Sequence, residues 1–333
     1  MRALVGDVGG TNARLALAEW KGKAEGWTVL RERHFPSGNY AGLTPILREF
    51  LAGPGGGGAA PDKAVLAVAG PVDLGRGRLS NRGWIVDSEE IARETGIPRV
   101  RLLNDFSAVG HALPTLPPSS FTVLHEGAAS SSGERPPIAI IGAGTGLGQG
   151  LLLWNGNRYV VHPSEGGHAE FAPRTPQECR LLEHLWTRMP RVSWEGVVSG
   201  PGLVNVYRFL VESGSMNESP ETRRAFEAGE PSRVISARAL EGADDTCVEA
   251  LDLFISAYGS QAGNLALTTR AEGGVFLAGG IAPAIVDRLR AGGFMKAFLD
   301  KGPLSDLLER IPVRVILDTR SGLRGALEVA ARD

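Results

Sequence analysis

Close to the start of the chain, Gly6-Asp7-Val8-Gly9-Gly10-Thr11-Asn12 interrupts an apolar segment, after which alternation resumes in ARLALAEW. An acid, two adjacent glycines and a hydroxyl at the tip of a hairpin make a set that can receive a phosphate. Gly9 and Gly10 permit close approach of the backbone N–H groups, and Thr11 adds a hydroxyl donor. Asp7 would repel a bare phosphate, so its presence implies a hydrated Mg²⁺ between the two. A dinucleotide fingerprint would need Gly-x-Gly-x-x-Gly between a strand and a helix, and here the spacing differs and a strand follows. A P-loop would need a lysine, and there is none before Lys21. Taken alone, the string also reads as an unliganded Gly-Thr-Asn turn.

Other residues could do chemistry. Asn104 and Asp105 close the strand-like RVRLLND, where α/β proteins present side chains to a cleft, although an Asn-Asp pair is also a routine helix cap. Glu165 and His168 flank two glycines in SEGGHAEF. Carboxylate and imidazole suit a vicinal diol, whose hydroxyls both give and accept hydrogen bonds; His168 reads equally as a core histidine or a metal ligand. Gly142 to Gly148, GAGTGLG, repeats the opening design of apolar strand, Gly/Thr turn and second apolar stretch, which suggests two related lobes with one turn each. Gly279 and Gly280 end the strand-like GGVFLAGG, which as an ordinary strand end needs no ligand.

These residues must be carried by alternating elements. Leu43, Ile46, Leu47, Phe50 and Leu51 follow the helical period, and Gly53-Pro54 ends that helix. The run GPGGGG lacks the Lys-Ser/Thr of a phosphate loop and reads as a surface connection. KAVLAVAG predicts a buried strand, and DSEEIARETG a helix with Asp87 as N-cap and Glu90 three residues on. ASSSGERPP is expected to be a surface loop near a domain boundary. Thr175, Pro176 and Glu178 read as N-cap, N1 and N3 of a capping box, and DDTCVEALDLFISAYGSQAGNLALTTR as one long buried helix. The last helix, SGLRGALEVAARD, is expected to pack back on the first lobe. Alternating strands and helices make the chain α/β.

The 333 residues exceed one ordinary core, which predicts two domains with material for a cleft between them. A net charge of -2 with interspersed signs offers no basic stripe, so nucleic acid is not an expected partner. The absence of a leader-like start or a long apolar run predicts a soluble, cytoplasmic protein without membrane contact. The two cysteines, Cys179 and Cys247, lack metal or disulfide spacing.

Together, GDVGGTNARLAL, NDFSAVGHAL, GAGTGLG, EGGHAEFAP, SGPGLVNVYR and FLAGGI occur in the order seen in bacterial glucokinases of the hexokinase and actin-like ATPase superfamily. The resemblance runs from about Leu4 to the C-terminal helix. It implies a two-lobed actin-like (ribonuclease H-like) α/β fold. The smaller N-terminal domain would span 1–115, completed by 318–333, and the larger C-terminal domain 116–317, closing around the sugar. It implies ATP-dependent phosphorylation of D-glucose to glucose 6-phosphate with Asp105 as general base. Asn104, Asp105, Glu165, His168 and Glu195 would bind the sugar. Gly6, Asp7, Val8, Gly9, Gly10, Thr11, Asn12, Gly144, Thr145, Gly146, Gly279 and Gly280 would bind ATP, with Asp7 holding Mg²⁺ through water. The role of Glu195 rests on the resemblance, and a homodimer is what the family suggests.

The chain departs from the family's Pro-Gly-Glu-Gly-Gly-His in having Ser164 before Glu165. The acid-rich ESGSMNESPETRRAFEAGE has no assigned task. Alternatives are a kinase of another hexose or an N-acetylhexosamine, a non-catalytic sugar-binding regulator, and an actin- or chaperone-like ATPase. A regulator would need a helix-turn-helix, for which a strand opening at Arg2 leaves no room upstream. A zinc role for His168, as in the family of repressors, open-reading-frame proteins and kinases, would need a downstream cysteine cluster, which is absent.

Overall fold

The computed structural model describes residues 1–22, 26–53, 60–79, 82–128 and 135–332. The glycine-rich connection beyond Gly53 and the serine-rich part of the second expected loop lie outside these residues. The chain forms two compact units, Met1–Pro117 with Asp318–Asp333, and Pro118–Leu317.

In the first unit, five strands pair in the order Trp27–Pro36, Asn12–Trp20, Arg2–Val8, Lys63–Val68, Val100–Asn104. The first three form antiparallel neighbours and the last three parallel ones. The Lys63–Val68 strand is buried along its whole length, which matches the apolar run from Ala64, and the buried Lys63 donates from Nζ to the carbonyl of Ala330. On one face of the sheet, Leu4, Leu15, Leu66 and Leu102 join Ile46, Leu47 and Phe50 from the helix Leu43–Ala52, and Ile91 from the helix Ser88–Thr95. The expected cap is present, since Asp87 accepts from the N–H groups of Glu89 and Glu90. On the other face, Ala3, Val5, Val65 and Ala67 pack with Leu323, Ala326, Val329 and Ala330 of the C-terminal helix Ser321–Arg332. A Cβ on Gly325 would overlap the carbonyl of Ala108, so this glycine lets the last helix touch the backbone of Asp105–Ala112.

In the second unit, six strands run in the order Tyr159–Ser164, Leu147–Trp154, Ile138–Ala143, Val275–Ala278, Val313–Ile316, Phe121–His125. Here too, an antiparallel hairpin adjoins a parallel pair, Ile138–Ala143 with Val275–Ala278. The expected long helix spans Asp245–Thr269 and buries Phe254, Tyr258 and Leu265 among others. At Gly263 a Cβ would lie 2.6 Å from the carbonyl oxygen of Phe298, so this helix packs against Gly293–Leu299 at backbone distance. Thr175 caps the helix Pro176–Trp186 as expected, but the Glu178 carboxylate accepts from the N–H of Arg174 rather than that of the cap residue. The unassigned acidic segment contains the helix Pro220–Ala228, anchored by Ser219 and Thr222, whose hydroxyls both donate to Asp244 at 2.6 Å. Among the described residues no helix is long and apolar enough to cross a membrane.

Candidate functional site

Asp7 sits near the end of the Arg2–Val8 strand, in register with Arg14 on the neighbouring strand. Burial pushes its carboxyl pKa above the usual carboxylate value, with the positive charge of Arg14 pulling the other way. Gly6 and Val8 are buried, and a Cβ on Gly6 would lie 2.8 Å from the side chains of Leu15 and Leu66. Gly6 therefore serves sheet packing, and a contribution of either residue to a ligand is confined to the backbone. Beyond the strand, the N–H of Gly9 donates to the carbonyl of Asn12 at 2.9 Å, which closes the hairpin tip. Ser37 donates from its hydroxyl to the carbonyl of Gly9 and from its N–H to that of Thr11, and Arg82 Nε donates to that of Gly10. Thr11 and Asn12 are exposed.

Val8 pairs Val68, and Val68 pairs Asn104, so the Asp7–Asn12 turn and the Asn104–Asp105 pair emerge at the same edge of the sheet. This is the carboxyl edge of the parallel strands, where open α/β sheets bind ligands. Asn104 ends its strand and caps the next helix, its Oδ1 accepting from the N–H groups of Phe106 and Ser107. Its Nδ2 donates to the carbonyl of Gly70 at 3.0 Å, so the capping reading is realised. Asp105 is the first residue of the helix, and its Oδ1 accepts from the N–H of Phe106.

The second unit gathers the remaining residues. Thr145 is exposed on the turn between the strands Ile138–Ala143 and Leu147–Trp154. The N–H of Gly144 donates to the carbonyl of Gly146, and that of Gly200 to the carbonyl of Gly144, both at 2.8 Å. The Tyr258 hydroxyl donates to Ile141 and accepts from the N–H of Ala143 just ahead of this turn. Gly279 has φ +79 and abuts the carbonyl of Ala143 where any Cβ would overlap it, so Gly279 lies directly against the turn and Gly280 follows it.

Glu165 and His168 bracket a short 3₁₀ turn, Gly166–His168. The His168 ring nitrogens lie 4.0 Å from Glu165 and 3.9 Å from Glu195, so these three residues form one cluster. Gly167 can exist only as glycine, because a Cβ would overlap the carbonyl of Leu147. Glu195 lies in the turn Trp194–Gly196, and its Oε2 accepts from the N–H of Leu147 at 2.9 Å. One carboxylate oxygen thus holds the Gly144–Gly146 turn while the other faces His168. Arg191 donates to the carbonyl of His168 and pairs with Glu170.

Asp7–Asn12, Asn104 and Asp105 belong to the first unit; Gly144–Gly146, Glu165, His168, Glu195, Gly279 and Gly280 belong to the second. Sequence reasoning missed three residues that lie against these turns: Gly322, where a Cβ would come 2.8 Å from Asp7 Oδ2, Tyr258, bonded to Ile141 and Ala143, and Gln149, whose Oε1 a Cβ on Gly166 would overlap. None carries a local signal: Gly322 opens an ordinary helix, Tyr258 is one of many apolar residues in a long helix, and Gln149 is a lone polar residue in a strand.

A model of the glucokinase family matches residues 4–333. The chain belongs to the glucokinase family. It is 42% identical to the glucokinase of Nostoc sp. strain PCC 7120, over 99% of this chain and 98% of that one. The crystal structure of a glucokinase from an Antarctic psychrotroph superposes with a TM-score of 0.82 at 32% identity, covering 100% of this chain and 99% of that one. A ROK family glucokinase from Streptomyces griseus, in complex with glucose and AMPPNP, matches over 100% of both chains with a TM-score of 0.67; at 20% identity it speaks for the fold alone. The glucokinase fold is accordingly that of the actin-like sugar kinases, as the motif order implied. As a glucokinase the chain is an enzyme, and neither a non-catalytic regulator nor a kinase of another sugar is favoured.

Proposed function

We propose that this enzyme transfers the γ-phosphoryl group of ATP to the 6-hydroxyl of D-glucose, with Asp105 as the general base. The observation that carries the assignment of the base is the register Val8–Val68–Asn104, which brings Asp105 to the same sheet edge as the phosphate-receiving turn. Asp105 takes the proton of the attacking hydroxyl, a contribution of about 10²- to 10⁴-fold for a positioned base. Asn104, Glu165, His168 and Glu195 exchange hydrogen bonds with the sugar hydroxyls, ionised carboxylates accepting and amide or imidazole N–H donating.

ATP is received by the backbone of Gly9, Gly10 and Asn12 and the hydroxyl of Thr11, by Gly144, Thr145 and Gly146, and by Gly279 and Gly280, where the absence of side chains leaves room for the nucleotide. Phosphoryl transfer asks mainly for positioning and charge neutralisation, which dipoles and hydroxyls at these turns supply. Among the described residues no group of three or more His, Cys, Asp or Glu could cage a metal ion. A single desolvated carboxylate, Asp7, fits Mg²⁺, which keeps most of its waters and shares itself with substrate phosphates. Once bound, the ion would neutralise charge on the β- and γ-phosphates.

The same reading takes the enzyme as a cytoplasmic homodimer acting at the entry of glucose into glycolysis, without membrane or nucleic-acid partners; it rests on the family. The test is ADP release from ATP-Mg²⁺ with glucose, mannose, fructose, glucosamine, N-acetylglucosamine and a no-sugar blank. Turnover concentrated on glucose with glucose 6-phosphate as product is the expected result, and equal release in the blank would refute it.

A further inference from the structure

Gln149 is a polar side chain that the chemistry above leaves unused. It lies on the strand Leu147–Trp154 and is 3% exposed. Its Nε2 is buried and finds no hydrogen-bond partner among the described residues. Buried amides are normally bonded, because leaving a donor unmade costs the full desolvation of that group, whereas an apolar side chain of the same shape would carry no such penalty.

The carbonyl end of the amide lies against the Ser164–His168 turn, with the unpartnered Nε2 on the same amide carbon. Gln149 is the register partner of Ser164, the residue at which this chain departs from the family pattern. Its Oε1 crowds Gly166 so closely that a Cβ there would overlap it, and on the same glycine a Cβ would come 3.2 Å from Ser164 Oγ. Ser164 Oγ accepts from the N–H of Gly166 at 3.1 Å. Gly166 is therefore hydrogen-bonded by Ser164 on one side and packed at close range by the Gln149 amide on the other. The Glu165 side chain just before it is 73% exposed and, among the described residues, approaches His168 at 4.0 Å.

We propose that Gln149 is a positioning residue whose amide acquires its missing partner in the sugar-bound state, when the Ser164–His168 turn tightens around the hexose. A donor unsatisfied in the free protein and satisfied in the complex contributes differential binding free energy, which is what shifts a turn from one arrangement to the other. The partner is an acceptor of the turn, a backbone carbonyl or the Glu165 carboxylate, so Gln149 acts on the sugar through Glu165 and His168. The inference rests on the assignment of this turn to the sugar.

The test uses the full chain with Gln149→Leu, which removes both hydrogen-bonding ends, and Gln149→Glu, which keeps the shape and removes the N–H donor. Glucose affinity is measured calorimetrically without nucleotide, alongside apo-protein melting and steady-state kinetics. Both variants are expected to weaken glucose binding about ten-fold or more, the loss of one well-placed hydrogen bond. ATP KM and kcat at saturating glucose should stay within about two-fold, with the Gln149→Leu protein melting no lower than the parent. Unchanged glucose affinity in Gln149→Leu would overturn the proposal. So would a lowered melting temperature with both KM values raised together, the signature of a packing role. Failure of the parent protein to bind glucose would instead remove the sugar assignment itself, and the proposal with it.

Discussion

A Cβ on Gly322 would lie 2.8 Å from Oδ2 of Asp7. The first turn of the C-terminal helix thus lies against the carboxylate proposed to hold Mg²⁺. Alanine is favoured over glycine inside a helix by about 0.5–1 kcal/mol, so Gly322→Ala should not weaken the fold through the helix. It should push on the carboxylate instead. The expected outcome is a KM for ATP-Mg²⁺ raised about ten-fold with little change in melting temperature, measured by titrating ATP-Mg²⁺ at saturating glucose.

Asp7 itself gives a pH signature. Burial raises its folded pKa above the unfolded one, so the native state holds the proton more tightly. Its contribution to stability therefore falls as pH rises from the unfolded pKa through the folded one. Asp7→Asn, which cannot ionise, should melt higher than the parent at about pH 7.5, and this advantage should shrink as pH is lowered toward about 4. The same variant should lose about 10²-fold or more in turnover, if the carboxylate positions charge at the transferring phosphate. Thermal scans at several pH values with parallel assays check both halves.

Asp105→Asn keeps the side-chain shape and removes the base. Its kcat should drop by about 10²- to 10⁴-fold while glucose binding persists. Near-parental turnover would strip Asp105 of that role.

Glu195 touches both the Gly144–Gly146 turn and His168, and its truncation tests whether the two turns bind different substrates. With one oxygen on the N–H of Leu147 and the other facing His168, Glu195→Ala should raise the KM for both ATP and glucose. Hydrogen bonds to charged groups are worth about 1.5–3 kcal/mol, so each effect should reach about ten-fold or more. Glu165→Ala should raise the glucose KM alone, and steady-state kinetics in both substrates separate the two patterns.

The two cysteines should differ in reactivity. Cys247 is buried, and desolvation pushes its thiol up to about 12, with Asp244 adding to the shift; Cys179 is exposed. The thiolate is the reactive form. Iodoacetamide on the native protein should therefore label Cys179 and spare Cys247, read by peptide mass spectrometry.

Much of this was legible in the sequence because the signals were local. The stripe Leu43, Ile46, Leu47 and Phe50 names the buried face of its helix, and Asp87 and Thr175 cap the helices that follow them. The glycines of GDVGGTN and GAGTGLG mark hairpin turns. Glu178 marks where local reading reaches its limit: it has the residue type and spacing of a capping box, yet its carboxylate settles on the N–H of Arg174. Gly6 carries a second demand that its motif does not show, since a Cβ there would press on the side chains of Leu15 and Leu66.

What the sequence by itself determined was the strongly patterned strands, helices and turns, such as Leu43–Ala52, Lys63–Val68 and Asp245–Thr269, and, through the order of six motifs, the family. Periodicity, caps and turn residues act across a few positions, so they can be read without knowing what lies opposite. Only the tertiary structure decided that Gly322 meets Asp7, that Glu195 holds Leu147, that Tyr258 braces Ile141 and Ala143, and that Gln149 faces Ser164 with its amide unspent. The members of the first three pairings are far apart along the chain, and the fourth depends on strand register. Sheet pairing and close packing bring them together, and no local residue preference encodes that approach.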